Sequence, residues 1–166
     1  MKEDIKNTIN NNINEKFKNL ESKNLILEQK LESQNKAIAN IERLNRRKNL
    51  LFFGVEETER SYQDLENKVL DLINNKLNID CNKTGIEYAR RLGKRSDKVR
   101  PIVVTLITMG LKIQIQRNKN SLNGTSYYIK EDFPLEVLNK RKELQIELEK
   151  ERAQGKKARI SHQKET

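Results

Sequence analysis

Arg100-Pro101-Ile102-Val103-Val104-Thr105-Leu106-Ile107 is the strongest strand signal in the chain, and the fold is read outward from it. Alternation turns Ile102, Val104 and Leu106 inward and leaves Val103 and Thr105 outward. Downstream, a helix is expected from about Met109 to Asn120. A turn at Asn123-Gly124 and a strand from Thr125 to Lys130 follow it. Upstream, the segment from Gly85 to Gly93 reads as a strand ending in basic residues. Before it, Ser61 is positioned to cap a helix with Asp64 at the reciprocal position, and Leu65, Val69, Leu72, Ile73 and Leu77 form the buried face. Asn49 to Val55 is a short apolar run closed by Glu56-Glu57, as a buried strand would be. The order is therefore β-α-β-β-α-β.

That order is the ferredoxin-like split arrangement used by RRM domains, so the fold class is α+β. After it, Asp132 is expected to cap a long charged helix that has Pro134 in its first turn and runs to about Ala153 before Gly155. Ala158-Arg159-Ile160 reads as the start of a further strand. No partner for it stands before Thr166, so the expectation is a C-terminal domain present only in part.

Residues 1 to 47 contain neither Gly nor Pro. Ile13, Phe17, Leu20, Asn24, Leu27, Leu31, Gln34, Ile38 and Ile41 recur at alternating spacings of four and three, the seam of a coiled coil. Lys16, Lys23 and Lys30 occupy one shoulder of this seam and Glu21, Glu28 and Glu42 the other. A parallel assembly would pair Lys16 with Glu21 and Lys23 with Glu28 across chains. Asn24 in the seam favours two strands, whereas Lys16-Phe17-x-x-Leu20-Glu21 is similar to a pattern of trimeric coils. Ile5, Ile9 and Ile13 step by four, so the register slips there and the first dozen residues are expected to fray. The resulting division is a coiled-coil region at 1–47, an RRM-like domain at 48–132 and a partial C-terminal domain at 133–166.

Composition narrows the function. The chain has 166 residues, of which 35% are charged and 34% hydrophobic, and a net charge of +10. An anionic partner is expected, nucleic acid before a membrane surface or an acidic protein. No run approaches the ~18 apolar residues of a membrane span, and the N-terminus does not read as a signal peptide. Cys81 is the only cysteine and His162 the only histidine, and no Cys/His cluster or glycine-rich loop stands ready for a metal or a phosphate. Catalysis, cofactors and metals are not expected.

The cations cluster. Between Gly85 and Lys130 ten of them stand against two anions, Glu87 and Asp97. The candidate nucleic-acid contacts there are Arg90, Arg91, Lys94, Arg95, Lys98, Arg100, Lys112 and Arg117. A second cluster, Arg43, Arg46, Arg47 and Lys48, precedes the first strand, and Arg46, Arg47 and Lys48 join the candidate set. The arginine fork suits phosphate and stacking contacts. For Arg91 the alternative is a pairing with Glu87 that supports the fold. Counting back from Gly54 places Phe52 at the exposed stacking position of the first strand, or packed against the C-terminal helix. The third strand offers no stacking aromatic.

The coiled coil, Arg46-Arg47-Lys48-Asn49-Leu50-Leu51-Phe52-Phe53-Gly54-Val55-Glu56-Glu57, Ile86-Glu87-Tyr88-Ala89-Arg90-Arg91-Leu92-Gly93 and Arg100-Pro101-Ile102-Val103-Val104 together resemble the first-reading-frame protein of LINE-type non-LTR retrotransposons. The resemblance spans about Ile13 to Ile160. It implies a homotrimeric RNA-binding protein with nucleic-acid chaperone activity that coats its element's transcript in cytoplasmic ribonucleoprotein particles. It also implies a nucleic-acid path between the RRM-like domain and a small C-terminal domain. Arg91 and Arg100 match the family's motifs, whereas Tyr88 and Arg90 stand where the family has Arg and His. The expectation is thus a single-stranded RNA binder, with DNA a further ligand, that binds mainly through phosphates and forms a trimer in preference to a dimer. The rival reading is a coiled-coil assembly protein whose basic domain docks an acidic protein. A basic-zipper DNA binder fits less well, because its cations precede the zipper.

Overall fold

The computed structural model describes residues 1–157 and Arg159. Ala158 and Ile160 of the expected strand and the tail carrying His162 lie outside the described residues. By internal contacts the chain divides into Met1–Glu42 and Arg43–Thr166.

The first unit is helical, the main part of α1 (Lys2–Arg46). Residues without Gly or Pro keep the backbone ladder unbroken, and i,i+4 pairs such as Lys36 with Glu32 (2.6 Å) decorate the polar side. The expected fraying near the start is not seen, because the helix is continuous from Lys2. A slip in side-chain register leaves the backbone hydrogen bonds untouched. No residue of α1 is buried. Phe17, Leu20, Leu27, Leu31, Ile38 and Ile41 are each more than half exposed, and Ile13 is 45% exposed.

The second unit is α+β. Its strands are β1 (Asn49–Phe53), β2 (Ile86–Arg91), β3 (Ile102–Leu106) and β4 (Tyr128–Glu131), in one antiparallel sheet of order β2-β3-β1-β4. Helices α2 (Tyr62–Asp71) and α3 (Met109–Asn118) connect them, and α4 (Leu135–Ala153) follows. The core lies between one sheet face and the two connecting helices. Leu50, Phe52, Ala89, Ile102, Val104, Leu106 and Ile129 meet Leu65, Val69, Leu72, Ile73, Leu77, Ile115 and Leu122 there. All five residues expected on the buried face of the first connecting helix are in this core.

Phe52 corrects the sequence reading. It pairs with Ile102 and Ile129, both inward-facing, and is 1% exposed. Phe53 is therefore the outward ring of β1. Gly54 follows at φ +81, and a Cβ there would lie 2.1 Å from the Ser126 carbonyl oxygen. Both facts demand glycine, and the close approach seats the 124–127 turn on the end of β1.

Helix α2 begins as the sequence implies. The Ser61 hydroxyl accepts from the Asp64 amide at 3.1 Å, and the Asp64 carboxylate accepts from the Ser61 amide at 3.1 Å. The Arg60 amide is the main cause holding the Asp64 carboxyl below its ordinary range, with Ser61 adding to it. Ser61→Ala should cost about 1 kcal/mol by urea titration, with the midpoint shifted and the slope unchanged. At its other end α2 widens into a π-helical turn, Leu72–Lys76, which closes with Leu77 N–H on the Leu72 carbonyl. Asn78 then takes φ 53 and stops the helix.

Helix α4 is not capped by Asp132, contrary to expectation. Pro134 occupies the cap position without a side-chain bond. The Asp132 carboxylate instead accepts from Arg46 Nη1 and Asn49 Nδ2, each at 2.9 Å.

Candidate nucleic-acid interface

The core covers one face of the sheet, and the other face carries the chemistry. Cross-strand partners share a face, so the register fixes which residues stand together there. Arg90, Val103, Leu51 and Lys130 form one row across all four strands, because Arg90 pairs with Val103, Val103 with Leu51 and Leu51 with Lys130. On one side of it lies the row Tyr88-Thr105-Asn49, and on the other the pair Phe53-Tyr128. A bulge between Ile86 and Tyr88 sets Glu87 apart and turns Tyr88 and Arg90 outward while Ala89 faces in.

The candidate cations separate into two groups. Arg47, Lys48, Arg90, Lys94, Arg95 and Lys98 are exposed. Their side chains form no ion pair among the described residues. Lys94, Arg95 and Lys98 lie in the 92–101 connection beyond the end of β2, whereas Arg47 and Lys48 lie beyond the opposite end of the sheet, before β1. The open face is thus flanked by positive charge at both ends.

The other group, Arg117 apart, is committed to the fold. Arg91 is a correction to its placement as a groove residue. Its side chain is 6% exposed and points to the core side of β2. Nε and Nη2 grip the Glu59 carboxylate at 2.7 and 2.9 Å, Nη1 donates to the Val55 and Arg100 carbonyls, and Nη2 donates to the Glu56 carbonyl. Nor is Glu87 its partner, since the bulge leaves Glu87 exposed. Arg100 is similarly held, with Nη2 at 3.0 Å from Glu57 and Nη1 donating to the Gly93 carbonyl. Lys112 is 5% exposed, donates to the Arg47 carbonyl at 2.7 Å and pairs with Glu131 at 3.2 Å. Arg46 is tied to Asp132. Arg117 is exposed but lines a hollow with Asn78, Ile79, Asp80 and Gln114, on the helical side of the domain.

These commitments carry an electrostatic signature. Bonding by Arg91, ahead of the Lys68 contribution, holds the Glu59 carboxyl down at about 2 despite its burial. The Arg100 side chain lowers Glu57, and Glu57 in turn raises Arg100. Burial pushes the Cys81 thiol up, with Asp80 adding to it, so this thiol stays protonated and inert.

Sequence reasoning missed the aromatics of this face. The Phe53 and Tyr128 rings are stacked at 4.5 Å between centroids and 5° between planes. Lys130 Nζ sits 5.6 Å from the first centroid and 5.4 Å from the second. At the β2 edge Tyr88 stacks on Tyr62 at 5.9 Å. The alternation Tyr128-Ile129-Lys130 was the available signal for β4, and the bulge hid Tyr88.

Among the described residues, no group of three or more His, Cys, Asp or Glu side chains could hold a metal ion, and no helix is long and apolar enough to cross a membrane. No protein-family model matches the chain, and no curated protein matches it.

Proposed function

We propose that this chain is a non-enzymatic, single-stranded nucleic-acid-binding protein, RNA-preferring, that self-associates in parallel through α1. The β-α-β-β-α-β order and the strand order β2-β3-β1-β4 support an RRM-like reading of the sheet, and the exposed heptad stripe supports a coiled-coil reading of α1. Together with the motif resemblance, they favour the packaging and chaperoning of an element's transcript in a ribonucleoprotein particle.

The observation that carries the proposal is the set of unpaired cations around an open sheet face. Exposed Lys and Arg without carboxylate partners are what a polyanion can recruit by releasing its counterions. Arg90, Lys94, Arg95, Lys98 and Lys130 amount to about five phosphate contacts per protomer, for a slope of log K against log salt near −3.5. Titration of nuclease-treated protein with labelled oligo-U across a salt series measures it. Lys94→Ala and Arg95→Ala should each flatten the slope by about 0.7 and weaken oligo-U and oligo-A alike. Arg117→Ala, on the helical side, should leave the slope unchanged. A protein that ignores oligonucleotides but binds an acidic protein would establish the rival adaptor reading.

A further inference from the structure

The open face holds more than charge. Its central row is cation, valine, leucine, cation, from Arg90 to Lys130, and an aromatic pair stands diagonally off each end. Tyr88 lies one row to one side on the β2 edge, and Tyr128 one row to the other side on the β4 edge. Strand spacing and rise per residue put these two edge tyrosines about 20 Å apart along the diagonal.

None of these rings belongs to the main core cluster, which lies on the opposite face, although Val103 at the centre of this face is itself covered and only 4% exposed. Tyr62, Tyr88 and Tyr128 are 46%, 49% and 48% exposed. Among the described residues their hydroxyls make no hydrogen bond. Each pair therefore presents flat apolar area to solvent, already held in orientation by its stacked neighbour. An ordered, half-exposed ring beside an unpaired cation is the combination that captures an unstacked base and its phosphate together. The aliphatic Val103 and Leu51 between them offer no competing ring. An RRM ordinarily places its stacking aromatics on the two central strands, and here β3 presents Val103 and Thr105 instead.

We infer that a single strand crosses this face obliquely, with one base stacked at Tyr88 on the β2 edge and another at Tyr128 on the β4 edge, and its backbone passing over Arg90 and Lys130. The inference rests on the nucleic-acid reading above and adds to it a base-dependent, salt-independent component at two defined subsites. Stacking tolerates any base, so the subsites distinguish bases from bare backbone rather than one sequence from another.

The test uses the full chain, an oligo-U ligand and an abasic phosphodiester of the same length. Tyr88→Ala and Tyr128→Ala should each weaken oligo-U binding by about 5- to 150-fold while leaving the salt slope and the melting curve unchanged. Tyr88→Phe and Tyr128→Phe, which keep the ring, should bind nearly as the parent does. The abasic ligand should bind more weakly than oligo-U and be indifferent to all four changes. With no Trp and four Tyr in the chain, oligo-U should also quench the intrinsic tyrosine emission, and the abasic ligand should not. Equal binding of the two ligands, with both alanine variants unaffected, would overturn the subsites and leave phosphate binding intact. Failure of the parent protein to bind either ligand would overturn the nucleic-acid reading itself.

Discussion

Arg91→Ala is expected to destabilise the second unit strongly rather than to remove a surface contact. The guanidinium fills a polar niche made of the Glu59 carboxylate and the carbonyls of Val55, Glu56 and Arg100, and it satisfies all of them at once. Truncation would leave the Val55 and Arg100 carbonyls without this donor, and the largely covered Glu59 carboxylate with Lys68 as its only remaining basic partner. Breaking a buried pair on one side costs about 3–5 kcal/mol, a large part of a small domain's total stability. A fall in Tm of at least about 12 °C should follow in a thermal scan. Arg91→Lys keeps the charge but not the two-pronged grip, and should fall between the parent and the alanine variant. A variant that melted like the parent would show that the niche adds nothing to folding. The same pair fixes the acid behaviour. Glu59 has its folded-state carboxyl lowered to about 2 from an ordinary 4.5, so it binds its proton more readily when unfolded. Its contribution is complete above about pH 4.5 and fades as pH falls toward 2. In Arg91→Ala this part of the acid sensitivity should shrink, because the largest cause of the shift is gone while Lys68 remains, by comparison of urea midpoints at pH 6 and pH 3.

Under the proposed self-association through α1, Leu20→Asp combined with Leu27→Asp should yield monomers. The stripe from Ile13 to Ile41 covers about 43 Å of helix, and no residue of α1 is buried. Helices whose stability comes from packing need a partner for such a face, and two aspartates in the seam would bury unpaired charge. Sedimentation should show a trimer for the parent and a monomer for the double variant, and a parent already monomeric at micromolar concentration would refute the assembly. Binding supplies a second readout. A long RNA that engages several protomers should lose about 10²- to 10⁴-fold in affinity, while a short oligonucleotide filling one protomer should bind as before.

The second unit was legible where local chemistry decides structure. Ser61 and Asp64 announce their cap, the spacing of Leu65, Val69, Leu72, Ile73 and Leu77 announces a buried face, and the run at 102–106 announces β3. Phe52 and Phe53 show the limit. Two adjacent phenylalanines alternate faces whichever way the strand is set, and only pairing with Ile102 and Ile129 selects the inward one. Arg91 shows another. Its carboxylate partner lies 32 positions upstream, in a loop whose path no periodicity encodes. Charge counting therefore marks a basic region but cannot separate Arg91, Arg100 and Lys112, consumed by the fold, from Arg90, Lys94, Arg95 and Lys98, which form no ion pair among the described residues. The aromatics are hard to read because β3 carries none, and the outward rings stand on β1, β2 and β4 instead.

The shape of the two outermost strands bears on whether one copy of the sheet could extend another. A sheet with open edges can recruit the sheet of a neighbouring copy, and domains tethered to a common bundle would meet at millimolar effective concentration. β2 is interrupted by its bulge near Tyr88, and Arg90 stands just beyond it. β4 is only four residues long, with Lys130 within it and Asp132 just after it drawn back to Arg46. Neither rim offers a long, flat, uncharged ladder for a sister domain to extend. The same residues that would greet a polyanion would thus also discourage edge-to-edge pairing between neighbouring copies.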